Sequence, residues 1–228
     1  QDTEYMDNLR TQFRNGERPI GCQSCWQEED AEKTSKRQNS IYKMKKSLIE
    51  WTPDSEPTLK FIDFKLGNVC NLKCRICGSW SSSKWAQEEI DYETAKGGDN
   101  PVARKQLKEG GWPKRNPQFF EDLKEDLKHV EYFEFTGGEP FLNPTHYTIL
   151  KDLDSKNLLP SIRLRYNTNL TTLSLNNKDV LYYWKKANTV LINGSLEAIG
   201  EPLENIRSGA KWAKIDKNIK KIHRLNVD

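Results

Sequence analysis

Apolar positions follow two different rhythms along this chain. Near the start, "EYMDNLRTQF" spaces Tyr5, Met6, Leu9 and Phe13 at three- and four-residue intervals, which predicts one face of a helix. Gly16, Pro19 and Gly21 break it. Residues 26–50 read as polar and irregular, and "WTPDSEPT" (51–58) reads as a linker. From residue 59 short apolar strands begin to alternate with amphipathic runs of helix length. Strands are predicted at 59–66, 131–136, 161–169 and 189–197. Helices are predicted at 81–93 (behind a serine N-cap), 116–130 (with Pro117 in its first turn), 144–157, 176–188 and 209–225. Residues 94–118, rich in Gly, Lys and Pro, read as a flexible basic loop, with a lid over a substrate opening as the sharper alternative.

Strand followed by helix, repeated four times, predicts parallel strands joined by helical crossovers. The fold class is therefore α/β, a partial (β/α) barrel of parallel strands, since four units are too few to close an eight-unit barrel. Residues 59–228 form this part, and residues 1–50 a mainly helical or irregular segment before it. Face parity adds a functional hint. In "SIRLRYNTN", Ile162, Leu164 and Tyr166 share one face, and Arg163, Arg165, Asn167 and Asn169 the other. In "VLINGSLE", Asn193, Ser195 and Glu197 share a face opposite Val190, Ile192 and Leu196. Parallel strands are normally covered on both sides, so a polar face favours an interior that holds a polar ligand over a solvated one.

Composition narrows the classes. The 228 residues carry 36 Lys and Arg against 33 Asp and Glu, and a net charge of +3 is too weak for a nucleic-acid footprint. No apolar run approaches a membrane span and no leader-like segment opens the chain, so a soluble, cytoplasmic protein is the default expectation. The start at Gln1 and the end on a predicted helix suggest a fragment of a longer protein. The five cysteines fall into two tight groups, Cys22 with Cys25 and Cys70 with Cys74 and Cys77, a distribution that favours metal binding over a disulfide framework.

"GNVCNLKCRICGSW" (67–80) places three thiols directly after a predicted strand, where ligands of α/β folds collect. Three local thiols leave a structural zinc site one ligand short, but can hold three corners of a cubane iron–sulfur cluster and leave the fourth iron open. "LGNVCNLKCRIC" resembles the C-x3-C-x2-C signature of the radical S-adenosylmethionine (radical SAM) family. "FTGGEPFLNP" (135–144) resembles the family's glycine-rich SAM motif. "NTNLT" (167–171), "NGSLEAIG" (193–200) and "NIRSGAKW" (205–212) resemble the ends of its later strands.

The resemblance implies that Cys70, Cys74 and Cys77 hold a [4Fe-4S] cluster whose free iron is chelated by SAM. Reductive cleavage of SAM then yields a 5′-deoxyadenosyl radical that takes hydrogen from a substrate. By the same matching, Gly137 and Gly138 let the backbone approach the methionyl amino group, and Glu139 and Pro140 fix that turn. Ile76 packs on the adenine. Asn169, Ser195 and Glu197 face the ribose or methionyl end, although relatives of this type often carry Asp in place of Glu197. Arg207 reaches the SAM carboxylate. The family's barrel usually has six units, so two are expected beyond this chain.

The C-x2-C of Cys22 and Cys25 is ambiguous by spacing alone, since zinc, iron–sulfur and redox dithiols all use it. Its surroundings resemble the auxiliary module of twitch-domain or SPASM-like radical SAM proteins, which implies an auxiliary iron–sulfur cluster completed by cysteines outside this chain. Zinc and free thiols stay open. Analogy with those relatives suggests a peptide or protein substrate and an electron donor as partners. A zinc-binding structural module built from both cysteine groups is the rival outside enzymology, and a homologue that has lost activity is a second. Trp80 and Trp85 could shield the cluster, and His129, His146 and His223 read as ordinary surface or interface residues.

Overall fold

The computed structural model describes residues 3–45 and 58–226, which divide into two compact units, 1–57 and 58–228. In the first unit, α1 (Glu4–Arg14) starts where the Thr3 hydroxyl accepts from the Met6 amide at 3.3 Å. Two further helices follow, α2 (Gln23–Asp30) and α3 (Lys36–Lys45). They overturn the irregular reading over residues 26–45, and residues 46–50 lie outside the described residues. Helical propensity there is masked by polarity, and what organises the segment is a side-chain network. Glu29 accepts from Ser35 at 2.5 Å and from Arg37, while the Trp26 ring has Arg37 over one of its faces, 4.5 Å from the centroid. Most of the predicted linker, residues 51–57, lies outside the described residues.

In the second unit the elements run β1 (Phe61–Lys65), β2 (Lys73–Cys74), α4 (Ser83–Ala95), α5 (Pro101–Glu109), α6 (Trp112–Arg115), α7 (Pro117–Asp126), β3 (Tyr132–Thr136), α8 (Pro144–Ser155), β4 (Arg163–Thr168), β5 (Ser174–Leu175), β6 (Lys178–Asp179), α9 (Val180–Trp184), β7 (Thr189–Gly194), α10 (Glu201–Ile206), β8 (Arg207–Ser208) and α11 (Trp212–His223). Strands β1, β3, β4 and β7 form one parallel sheet in that order, in the register Ile62–Phe133–Leu164–Val190. The sheet is the parallel half-barrel that the strand–helix alternation requires. Among the described residues no helix is long and apolar enough to cross a membrane.

One sheet face is the core. Phe133, Phe135, Leu164 and Tyr166 are fully buried under Tyr147, Leu150 and Leu153 of α8, and Phe135 stacks on Tyr166 at 5.3 Å between centroids. His146 also lies here, with no exposed surface, its Nε2 3.1 Å from the Tyr166 hydroxyl. It is a core residue and not the surface or interface histidine expected from its spacing. The other face carries the polar parity of the sequence: Asp63, Glu134 and Arg165 stand in one row, with Arg165 3.6 Å from Glu134.

Three other expectations are corrected. Residues 94–118 are not a flexible loop: Asn100 caps α5, with Pro101 in its first turn, and accepts from Ala103 N at 2.9 Å. The glycines at 97–98 and 110–111 are genuine turns, but they bracket helices. The helix predicted at 176–188 is only α9, because positive φ at Asn176 and Asn177 closes the β5–β6 hairpin first. Strand β7 stops at Gly194, so Ser195 and Glu197 lie in the loop beyond it.

Candidate functional site

The loop after β1 is held from three sides. The Asn68 amide is buried and donates to the carbonyls of Ser79 at 2.9 Å and Gln106 at 3.1 Å. The Asn68 carbonyl accepts from the Ser83 amide at 2.7 Å, and the Val69 carbonyl from the Glu139 amide at 2.8 Å. Ser82 caps α4 and donates to the Leu72 carbonyl at 2.7 Å, and Trp85 Nε1 donates to the Cys74 carbonyl at 3.0 Å. Residues 101–115 therefore serve this loop as a buttress: Gln106 accepts from Asn68, and Trp112 donates to the Lys65 carbonyl at 3.0 Å.

Gly67 is where the buttress meets the loop. Its φ is +113°, and a Cβ on it would stand 1.9 Å from the Gly110 carbonyl oxygen. Gly67→Ala should cost about 3–4 kcal/mol, combining left-handed strain with overpacking against rigid backbone. Gly97→Ala, at φ +78° with nothing within 4 Å of its Cβ, should cost only about 1–2 kcal/mol. Urea denaturation of the two variants compares them, and equal losses would count against the close approach.

The stitched loop opens onto a cleft of about 320 Å³ at the carboxyl ends of the strands. Cys70, Cys74, Ile76, Cys77, Gly137, Gly138, Asn169, Ser195 and Arg207 all line it. Gly137 and Gly138 have φ of +75° and +55°, and a Cβ on Gly138 would stand 2.4 Å from the Val69 carbonyl oxygen. The two glycines thus let the turn pack against the cysteine loop while exposing backbone to the cleft. Ile76 is 70% exposed at the mouth.

Three expected residues do not line the cleft. Glu139 and Pro140 are buried beneath it. Glu139 accepts from the Thr168 hydroxyl and the Asn169 amide, both at 2.7 Å, and from the Phe141 amide at 3.4 Å, tying the glycine turn to the end of β4. Burial pushes its carboxyl up to about 7, against the pull of these donors and of Arg207. Glu197 turns both oxygens onto Arg207, one at 2.6 Å from Nε and the other against Nη2. That hydrogen-bonded ion pair holds Glu197 below the usual carboxylate range.

Three sulfurs from one loop share the cleft, and thiolate sulfurs are the donors that hold iron–sulfur groups. Burial raises the Cys70 thiol to about 11 and also raises Cys74, where Arg207 pulls the other way. A comparison with known families matches residues 64–228 to the Radical SAM superfamily. The chain belongs to the radical SAM superfamily. Membership makes this a radical SAM enzyme, of a family that uses a [4Fe-4S] cluster and SAM. No curated protein and no solved structure matches the chain.

Within this radical SAM domain, sequence reading missed residues that only the fold brings to the cleft. Thr168 lines it directly. Asn71 joins Asn169 at 3.1 Å and Thr171 at 2.9 Å, a network that spans about half the domain in sequence. Strands β2 and β8, two residues each, pair antiparallel and set Cys74 opposite Arg207. Neither is long enough to leave a periodic signal. Cys22 and Cys25 lie in the other unit, both partly buried, at the start of α2.

Proposed function

We propose that Cys70, Cys74 and Cys77 hold the catalytic cluster and that SAM occupies the cleft beside it. The supporting observation is the convergence of three thiols, the Gly137–Gly138 backbone and the Arg207 guanidinium on one cleft. When bound, the cluster supplies one-electron reduction of SAM and, through it, a carbon-centred radical able to take a hydrogen atom from a substrate. The chain's residues bind and orient. The Gly137–Gly138 backbone accepts the methionyl amino group, and Glu139 and Pro140 hold that turn from behind. Ile76 offers apolar surface to the adenine, while Asn169 and Ser195 take ribose or methionyl polar groups. A guanidinium has five N–H bonds, and Glu197 and Cys74 occupy three of those of Arg207. Two remain for the SAM carboxylate, and Glu197 acts on the cofactor through Arg207.

Cys22 and Cys25 belong, in this reading, to an auxiliary iron–sulfur site completed by ligands outside this chain. A peptide or protein is the substrate class, and an external electron donor reduces the catalytic cluster. Anaerobic reconstitution with iron and sulfide tests the central reading. The reduced protein should give a cubane EPR signal that changes on adding SAM and is lost in Cys74→Ala. Tight uptake of one zinc ion with no cluster would overturn it.

A further inference from the structure

The position of Arg207 carries a consequence for the electronics of the site. The β2–β8 pairing sets Cys74 and Arg207 opposite each other, and the Arg75 amide extends it by donating to the Ile206 carbonyl at 2.9 Å. Arg207 is only 7% exposed, and its Nη1 donates to Cys74 Sγ at 3.4 Å. The other two cysteines are served differently. Cys70 Sγ has two neutral donors, the Asn169 side-chain amide at 3.8 Å, which lies closer to Asn71, and the Leu72 backbone. Cys77 Sγ faces its neighbour's Gly78 carbonyl at 3.7 Å, an acceptor. One sulfur of three therefore receives a charged donor, and that donor is itself fixed by a two-point ion pair with Glu197.

We propose that Arg207 and Glu197 form a charge couple that sets the reduction potential of the cluster through the Cys74 sulfur. The inference rests on the placement of the cluster on Cys70, Cys74 and Cys77. A reduced cluster carries one more negative charge, and hydrogen bonds and net charge at its sulfurs set how easily that charge is accepted. The Arg207 cation, donating directly to sulfur, favours the reduced state. The Glu197 carboxylate, one step further away, tempers it and holds the guanidinium in place. Arg207 is thus a positioning and tuning residue for Cys74 in addition to any contact with SAM.

The couple makes a signed prediction that a purely structural clip does not. With the full chain reconstituted anaerobically and no SAM present, midpoint potentials are read by EPR-monitored titration. Arg207→Gln should lower the reduced-to-oxidised ratio at a fixed potential about tenfold, roughly 59 mV for a one-electron couple. Glu197→Gln, which keeps the shape and one acceptor but removes the counter-charge, should move the midpoint the opposite way. Midpoints unmoved in both variants, or moved in the same direction, would overturn the proposal. If Arg207→Gln loads poorly, Glu197→Gln decides alone: a raised midpoint supports the couple, and an unmoved or lowered one overturns it. Absence of any cluster in the unsubstituted protein would instead reject the placement of the cluster, a separate failure.

Discussion

Replacing Glu139 by alanine should destabilise the radical SAM domain by about 3–6 kcal/mol, because each buried donor left without an acceptor costs about 1–3 kcal/mol. The donors are the Thr168 hydroxyl, the Asn169 amide and, at longer range, the Phe141 amide. The residue is 1% exposed, so water cannot take over without opening the turn. A loss of that size is a large share of the roughly 5–15 kcal/mol that holds a typical domain folded. Glu139→Gln keeps an acceptor oxygen and should lose less than half as much. The effect should reach the cleft, because Asn169 follows Thr168 directly and its side chain approaches Cys70 Sγ. Urea denaturation at neutral pH measures the stability term, and alkylation of Cys70 in the cluster-free protein should report a loosened loop. A Glu139→Ala variant within about 1 kcal/mol of the parent would show that the turn can relax and resatisfy its donors.

The candidate site was legible where its chemistry is written in adjacent residues. Cys70, Cys74 and Cys77 span eight positions, and Gly137 to Pro140 are contiguous. Strand–helix alternation gave the parallel sheet, and the parity of Arg163 to Asn169 gave its polar face. What stayed hidden depends on partners far apart in sequence. Arg207 meets Cys74 across 133 positions, and Asn71 meets Thr171 across 100. The misreading of Glu197 has the same origin: its nearest demand is a buried guanidinium ten residues on, which no strand parity reveals. His146 is different, because its burial was available in the sequence. It sits four and seven residues before Leu150 and Leu153, on the helix face that the sheet covers. In residues 94–118 the Asn100–Pro101 helix start outweighs the Gly and Lys content that points to a loop.

His146 also produces the second large expected effect, since it and Glu139 oppose each other in the pH dependence of stability. Burial lowers the His146 pKa from 6.5 to about 3, so the folded protein keeps it neutral while the unfolded chain protonates near neutrality. Its contribution is present above pH 6.5 and is lost as pH falls, because the unfolded state then binds the extra proton. Burial raises Glu139 from 4.5 to about 7, so here the folded state holds the extra proton. That contribution is full below pH 4.5 and is lost as pH rises through about 7. Between pH 7 and pH 5 the histidine should remove about 2 kcal/mol and the glutamic acid should add about 2 kcal/mol, at 1.36 kcal/mol per pKa unit. The parent protein should therefore show a nearly flat stability across this range, which would be mistaken for the absence of buried titrating groups. Single substitutions should uncover each slope. His146→Leu, which removes the falling term, should gain stability on going from pH 7 to pH 5, and Glu139→Gln should lose it, each by about 2 kcal/mol. Denaturant midpoints of the cluster-free protein at the two pH values provide the measurement. The opposition would be refuted if both variants stayed as flat as the parent. A parent that already falls by about 2 kcal/mol, with His146→Leu flat, would mean that Glu139 is ionised in the fold, held so by its three donors.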